Sequence, residues 1–92
     1  MRLYELVLVL KTTLTEPQRK KLVEQIKEML KGVKVVKEED WGQKPLSYKI
    51  KREFSGFYIQ MQLESETGIE KGFENKLAGN DNILRHLLIR KK

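Results

Sequence analysis

Seven cations gather at two places in this 92-residue chain: Lys44, Lys49, Lys51 and Arg52 in one group, Arg90, Lys91 and Lys92 in the other. Cations spaced along a segment can each neutralise a phosphate and release its counterions. A formal net charge of +6 is consistent with a polyanionic partner. Lysines on an edge strand also guard against edge-to-edge aggregation, so for the first group phosphate contact and plain solvation stand side by side.

Other chemistries find little material. His86 is the single histidine and there is no cysteine, so no Cys/His zinc site, Ser/His/Asp set or disulfide framework can be assembled. The loop "KTTLT" (11–15) has no glycine to cradle a phosphate. The expectation is a protein that is not an enzyme and has no cofactor, no metal and no small-molecule substrate. The apolar run Leu6 to Leu10 falls far short of the roughly 20 residues a membrane span needs, and the start lacks a signal-peptide cleavage pattern. Without cysteine or linker, the chain reads as one domain over 1–92, at home in cytoplasm or an organelle interior.

The elements that must carry these cations follow from periodicity. "LYELVLVL" (3–10) is a strand apolar on both faces, hence central. Thr15 with Gln18 forms a capping box and Pro17 falls in a first turn, so a helix runs over about 16–31, burying Leu22, Ile26, Met29 and Leu30 and stopping at Gly32. A second strand starts at 34 and continues through a bend at Gly42 into "WGQKPLSYKIK" (41–51). Its Pro45 requires an edge position, while Leu46, Tyr48 and Ile50 are expected to point into the core. Residues 52–56 read as a hairpin loop. In the strand that follows, 57–64, Phe57, Ile59, Met61 and Leu63 face inward. Thr67 and Glu70 repeat the capping-box spacing ahead of a short helix with Ile69, Phe73 and Leu77 on its buried stripe, closed near Gly79. A last strand spans 83–90, with His86 on the side of Leu84 and Leu88 as a packed, hydrogen-bonded residue.

The order βαββαβ predicts an α+β, ferredoxin-like sandwich, a four-stranded antiparallel-type sheet with both helices on one face and the first and third strands central. One face is then left uncovered. If Leu6, Leu8 and Leu10 face the helices, Val7 and Val9 lie on the open side, beside Leu87 and Ile89 and next to Arg85, an apolar patch suited to a protein partner. Base stacking on the sheet is not expected, because only Tyr58 has the parity to reach that face and Val7 stands where a ring should.

These residues resemble the bacterial small-subunit ribosomal protein six family. "WGQKPLSYKIK" carries Gly42, Lys44, Leu46, Ser47, Tyr48, Ile50 and Lys51 at family positions, and "YELVLVL" and "NDNILRHLLIRK" flank it at the expected distances. Pro45 and Gln43 depart from the family pattern. The resemblance implies a structural constituent of the small ribosomal subunit that binds the central domain of small-subunit rRNA together with ribosomal protein eighteen, in the cytoplasm or on an organellar ribosome. By carry-over, Arg2, Tyr4, Lys44, Lys49, Lys51, Arg52, Arg90 and Lys91 are candidate RNA contacts. Val7, Val9, Arg85, Leu87 and Ile89 are candidate partner contacts. The alternative is a ferredoxin-like regulatory or oligomerisation domain that homodimerises through its open face. No membrane partner is implied.

Overall fold

The computed structural model describes residues 2–30, 32–50 and 52–91, Lys71 by its backbone alone. The elements are β1 (Arg2–Lys11), α1 (Glu16–Met29), β2 (Val33–Ile50), β3 (Glu53–Ser65), α2 (Lys71–Ala78) and β4 (Ile83–Lys91). The sheet order is β2-β3-β1-β4 with every neighbouring pair antiparallel, the expected ferredoxin-like arrangement. Leu6, Leu8 and Leu10 are fully buried. They share one apolar cluster with Ile59, Met61 and Leu63 of β3, Leu22, Val23 and Ile26 of α1, and Phe73 and Leu77 of α2. Both helices therefore lie on one face. Burial of each large apolar side chain there contributes about 1.5–3 kcal/mol.

The start of α1 follows the sequence closely: Thr15 Oγ1 accepts from the Gln18 amide at 3.3 Å, and Gln18 Oε1 accepts from the Thr15 amide at 2.8 Å. The helix stops at Met29, two residues before the expected end, because the Leu30 amide turns back to the Lys27 carbonyl and Gly32 takes φ +72°. Lys31 lies outside the described residues. Lys27 also pairs with Glu38 of β2, which holds its ammonium pKa above the ordinary value against the opposing effect of burial.

The second helix begins later than expected, at Lys71 with Glu70 as an N-cap lacking a side-chain bond, so the Thr67–Glu70 capping box does not form. Ser65 supplies the reason. Its Oγ donates to the Gly68 carbonyl at 2.9 Å and accepts from the Gly68 amide at 3.0 Å, while Arg2 Nη1 donates to the Thr67 carbonyl, fixing 65–68 as a turn with Gly68 at φ +93°. At β4, the pairing slips between Val9–Arg85 and Leu10–Ile83, so Ile83 joins the core. Leu84, expected on the His86 side, becomes the extra residue. His86 is half-buried opposite Leu8, and its Nε2 lies 3.3 Å from Glu74 Oε1 on α2.

The long edge strand departs most from expectation. A bend does occur at Gly42, with φ +77° and its amide donating to Asp40 Oδ1 at 2.8 Å. Pro45 pairs with Ser55, and then the ladder breaks: residues 46–49 of β2 stand opposite Phe54 alone before Ile50 meets Glu53. Freed of the ladder, this segment no longer alternates between sheet faces, and the expected inward direction of Leu46, Tyr48 and Ile50 is overturned. Tyr48 is 63% exposed and its hydroxyl accepts from Arg85 Nη1 at 3.2 Å, while Leu46 and Ile50 are half-buried beside Val9 and Tyr58, on the side away from the helices. Of the expected loop 52–56 only Arg52 is a turn residue, at φ +66°, and residues 53–56 are already in strand.

The hairpin lies against the sheet at Gly56, where an added Cβ would overlap a methyl of Val9 and crowd Leu46. Gly56→Ala is expected to destabilise the protein by about 1–3 kcal/mol through overpacking. Gly72→Ala, in a helix with only the Glu70 carboxylate at 4.0 Å, is expected to stabilise it by up to about 1 kcal/mol. Chemical denaturation of the two variants checks both signs.

Candidate protein and nucleic-acid interface

The face opposite the helices is laid out by the strand register. Across β2, β3, β1 and β4 its rungs are Gly42–Tyr58–Val9–Arg85, Glu39–Gln60–Val7–Leu87, Lys37–Gln62–Glu5–Ile89 and Lys34–Glu64–Leu3–Lys91. The hairpin closes the first of these. Leu46, Tyr48 and Ile50 lean over Val9 and leave it only 5% exposed, so Val9 is covered by its own chain and does not present a surface to a partner. Away from the hairpin the face stays open, with Leu87 at 46%, Ile89 at 45% and Val36 and Leu3 also exposed, and Val7 half-buried among them.

The hairpin end interleaves cations with aromatic rings. Lys44 Nζ lies 5.1 Å from the Trp41 ring centroid and 5.9 Å from that of Tyr58, Lys49 Nζ lies 5.3 Å from Phe54, and Arg85 donates to Tyr48. Phe54 is 72% exposed on the outermost part of the hairpin. The bulged strand and its neighbours gather Lys44, Lys49, Arg85 and four rings, Trp41, Tyr48, Phe54 and Tyr58, at one end of the molecule, with Arg52 in the adjoining turn. Lys51 falls outside the described residues.

The remaining RNA candidates are not brought to this place. Arg2, Tyr4 and Arg90 have the opposite strand parity and belong to the helix side, at the far end of β1, roughly 30 Å from the hairpin at about 3.3 Å per residue. Tyr4 packs against the core cluster and Arg2 is engaged by Thr67. Lys91 reaches onto the open face, where its Nζ lies 3.1 Å from Glu5 Oε2. Glu5 Oε1 accepts from Gln60 Nε2 at 2.6 Å. The Gln60 amide first, then Lys91, hold the Glu5 carboxyl below the usual carboxylate range, against desolvation. That contribution to stability is present above the ordinary carboxylate pKa and is lost as pH falls through the lowered value. Glu39 is lowered likewise, by Lys37 at 2.7 Å and then by the Trp41 indole at 3.0 Å.

Sequence reasoning missed Glu5, Gln60, Phe54 and the outward turn of Tyr48. The available signal for Glu5 was a lone carboxylate in an otherwise apolar strand face; for Phe54 there was none, since it fell within an expected loop. Among the described residues no group of three or more His, Asp or Glu side chains could hold a metal ion, and no helix is long and apolar enough to cross a membrane.

Comparison with known proteins gives this face a context. A model of the family described as ribosomal protein S6 matches residues 3–90. The small ribosomal subunit protein bS6 of Caldanaerobacter subterraneus subsp. tengcongensis is 33% identical over 92 residues, covering 98% of this chain and 97% of that protein. Its counterpart in Clostridioides difficile is 33% identical over 90 residues, covering 97% and 98%. The crystal structure of 30S ribosomal protein S6 from Thermotoga maritima superposes with a TM-score of 0.89 at 25% identity, covering 98% of this chain and 87% of that one. These relatives are structural proteins of the ribosome, not enzymes. The chain belongs to the ribosomal protein S6 family.

Proposed function

We propose that this protein binds small-subunit rRNA through the basic, aromatic hairpin end of its open face and docks ribosomal protein eighteen on the apolar remainder, working on the ribosome in the cytoplasm. The observation that carries the reading is the division of one uncovered face into two ends of different chemistry. Lys44, Lys49, Arg52 and Arg85 with exposed rings suit phosphates and unpaired bases. Leu3, Leu87 and Ile89 form an exposed apolar patch suited to a protein, and the charges on its rungs offset one another, Glu5, Glu39 and Glu64 against Lys34, Lys37 and Lys91, which leaves no excess of cations there for a phosphate backbone.

Two experiments test the halves separately. Replacing Lys44 and Lys49 by Gln and Arg52 by Asn, a residue that tolerates the left-handed turn conformation, is expected to weaken binding to the central domain of small-subunit rRNA. The salt slope should flatten by roughly 0.7–0.9 per lost phosphate contact. Filter binding over a salt series reads this, and an unchanged slope would leave those cations to solvation. Leu87→Lys is expected to change stability by no more than about 0.5 kcal/mol, since the side chain is already half in water, while weakening binding of protein eighteen about tenfold or more. Titration calorimetry with thermal melts measures both, and native affinity in the folded variant would remove this patch from the interface.

A further inference from the structure

The apolar half of the open face has a carboxylate at its centre. Glu5 stands opposite Ile89, one rung from Val7–Leu87 and one from Leu3–Lys91, so anything lying on Leu3, Leu87 and Ile89 also lies on Glu5. Its two oxygens are held differently. Oε1 is held by Gln60, a residue only 8% exposed whose amide is fixed within the sheet surface. Oε2 is held by Lys91 at the end of β4, an unbranched, half-exposed side chain whose ammonium lies 3.1 Å away.

Lys91 projects from the rung of Leu3 and reaches diagonally to Glu5, so its stem lies over the Leu3–Ile89 part of the patch. A protein docking there must either bury that stem with its ion pair or push it aside. Pushing it aside frees the apolar surface but leaves a carboxylate to be covered, which is costly unless a cation replaces the one removed. A guanidinium fits the vacancy: it is planar, donates in parallel, is weakly hydrated, and its flat faces can lie against Leu87 and Ile89.

We propose that Glu5 is the specificity-determining anchor for an arginine of the protein that docks on this face, and that Lys91 occupies that position in the free chain and leaves it on docking. This rests on the protein-docking reading above and names the chemistry that the partner must present. Glu5 selects a partner with one basic side chain in an apolar segment, and Gln60 keeps the carboxylate oriented toward it.

The test uses the full chain with ribosomal protein eighteen of a bacterial relative as the probe, in titration calorimetry alongside thermal melts. Glu5→Gln keeps the shape and the Gln60 contact but removes the charge, and is expected to lose at least about tenfold in affinity with little change in melting temperature. Lys91→Met keeps an apolar stem but removes the competing cation, and is expected to bind as tightly as the unmodified chain or more tightly. Equal losses in both variants would mean that the pair is buried intact and would overturn the proposal, as would native affinity in Glu5→Gln. A gain of rRNA affinity in Glu5→Gln would assign the face to nucleic acid and overturn it as well. Failure of the unmodified chain to bind the probe would instead remove the docking reading itself, and this inference with it.

Discussion

Two helices can cover only one side of a four-stranded sheet, and the strand at the centre of this one is apolar on both sides. Leu6, Leu8 and Leu10 are sealed beneath the helices, and the pleat then forces Val7 and Val9 to the other side, with Leu3 and Glu5 in the same row. No shift of register buries both sets under the helices. The apolar groups of the second face are either covered by other parts of the chain or left to solvent, and the rest of the molecule follows from how they divide.

At one end the chain covers the face itself. Pro45 closes the regular ladder of β2, the four residues after it have one partner residue, and the slack lets Leu46, Tyr48 and Ile50 fold back over Val9. Gly56 permits the close approach, and Arg85 ties the flap down through the Tyr48 hydroxyl. The same folding-back carries Lys44, Lys49 and Phe54 outward, so covering part of the face and building a cationic, aromatic tip are one event. At the other end Leu87 and Ile89 stay 46% and 45% exposed, and Lys91 reaches across this part of the face to Glu5. An apolar patch with a satisfied carboxylate inside it stays compatible with water in the free protein.

The legible parts of this architecture were those in which one periodicity holds without interruption. The alternation of β1 and of residues 57–64 gave the core correctly, and Thr15–Gln18 placed the start of α1, because local pattern and tertiary contact agree there. Residues 46–50 alternate just as cleanly and were misread, since alternation reports a sheet face only while the ladder persists, and a bulge is set by tertiary fit rather than by composition. The Thr67–Glu70 spacing failed for a similar reason: Ser65 and Arg2, one of them 65 residues away from its contact, had already claimed that turn. The candidate contacts divided along the same line. Parity alone puts Leu87 and Ile89 on the open face, where they are exposed, whereas Arg2, Tyr4 and Arg90 share a basic or aromatic character with the hairpin group but not its face, and the setting of Glu5 depends on Gln60 and Lys91, which come from two other strands.

On the proposed reading, one sheet face is shared between a protein and an RNA and is divided at the rung of Val9. Site-specific photocrosslinking within assembled small subunits tests this most directly, with the photoreactive residue placed at Leu87 in one preparation and at Phe54 in another. A protein adduct is expected from position 87 and an rRNA adduct from position 54. RNA captured from position 87, or protein alone from position 54, would contradict it.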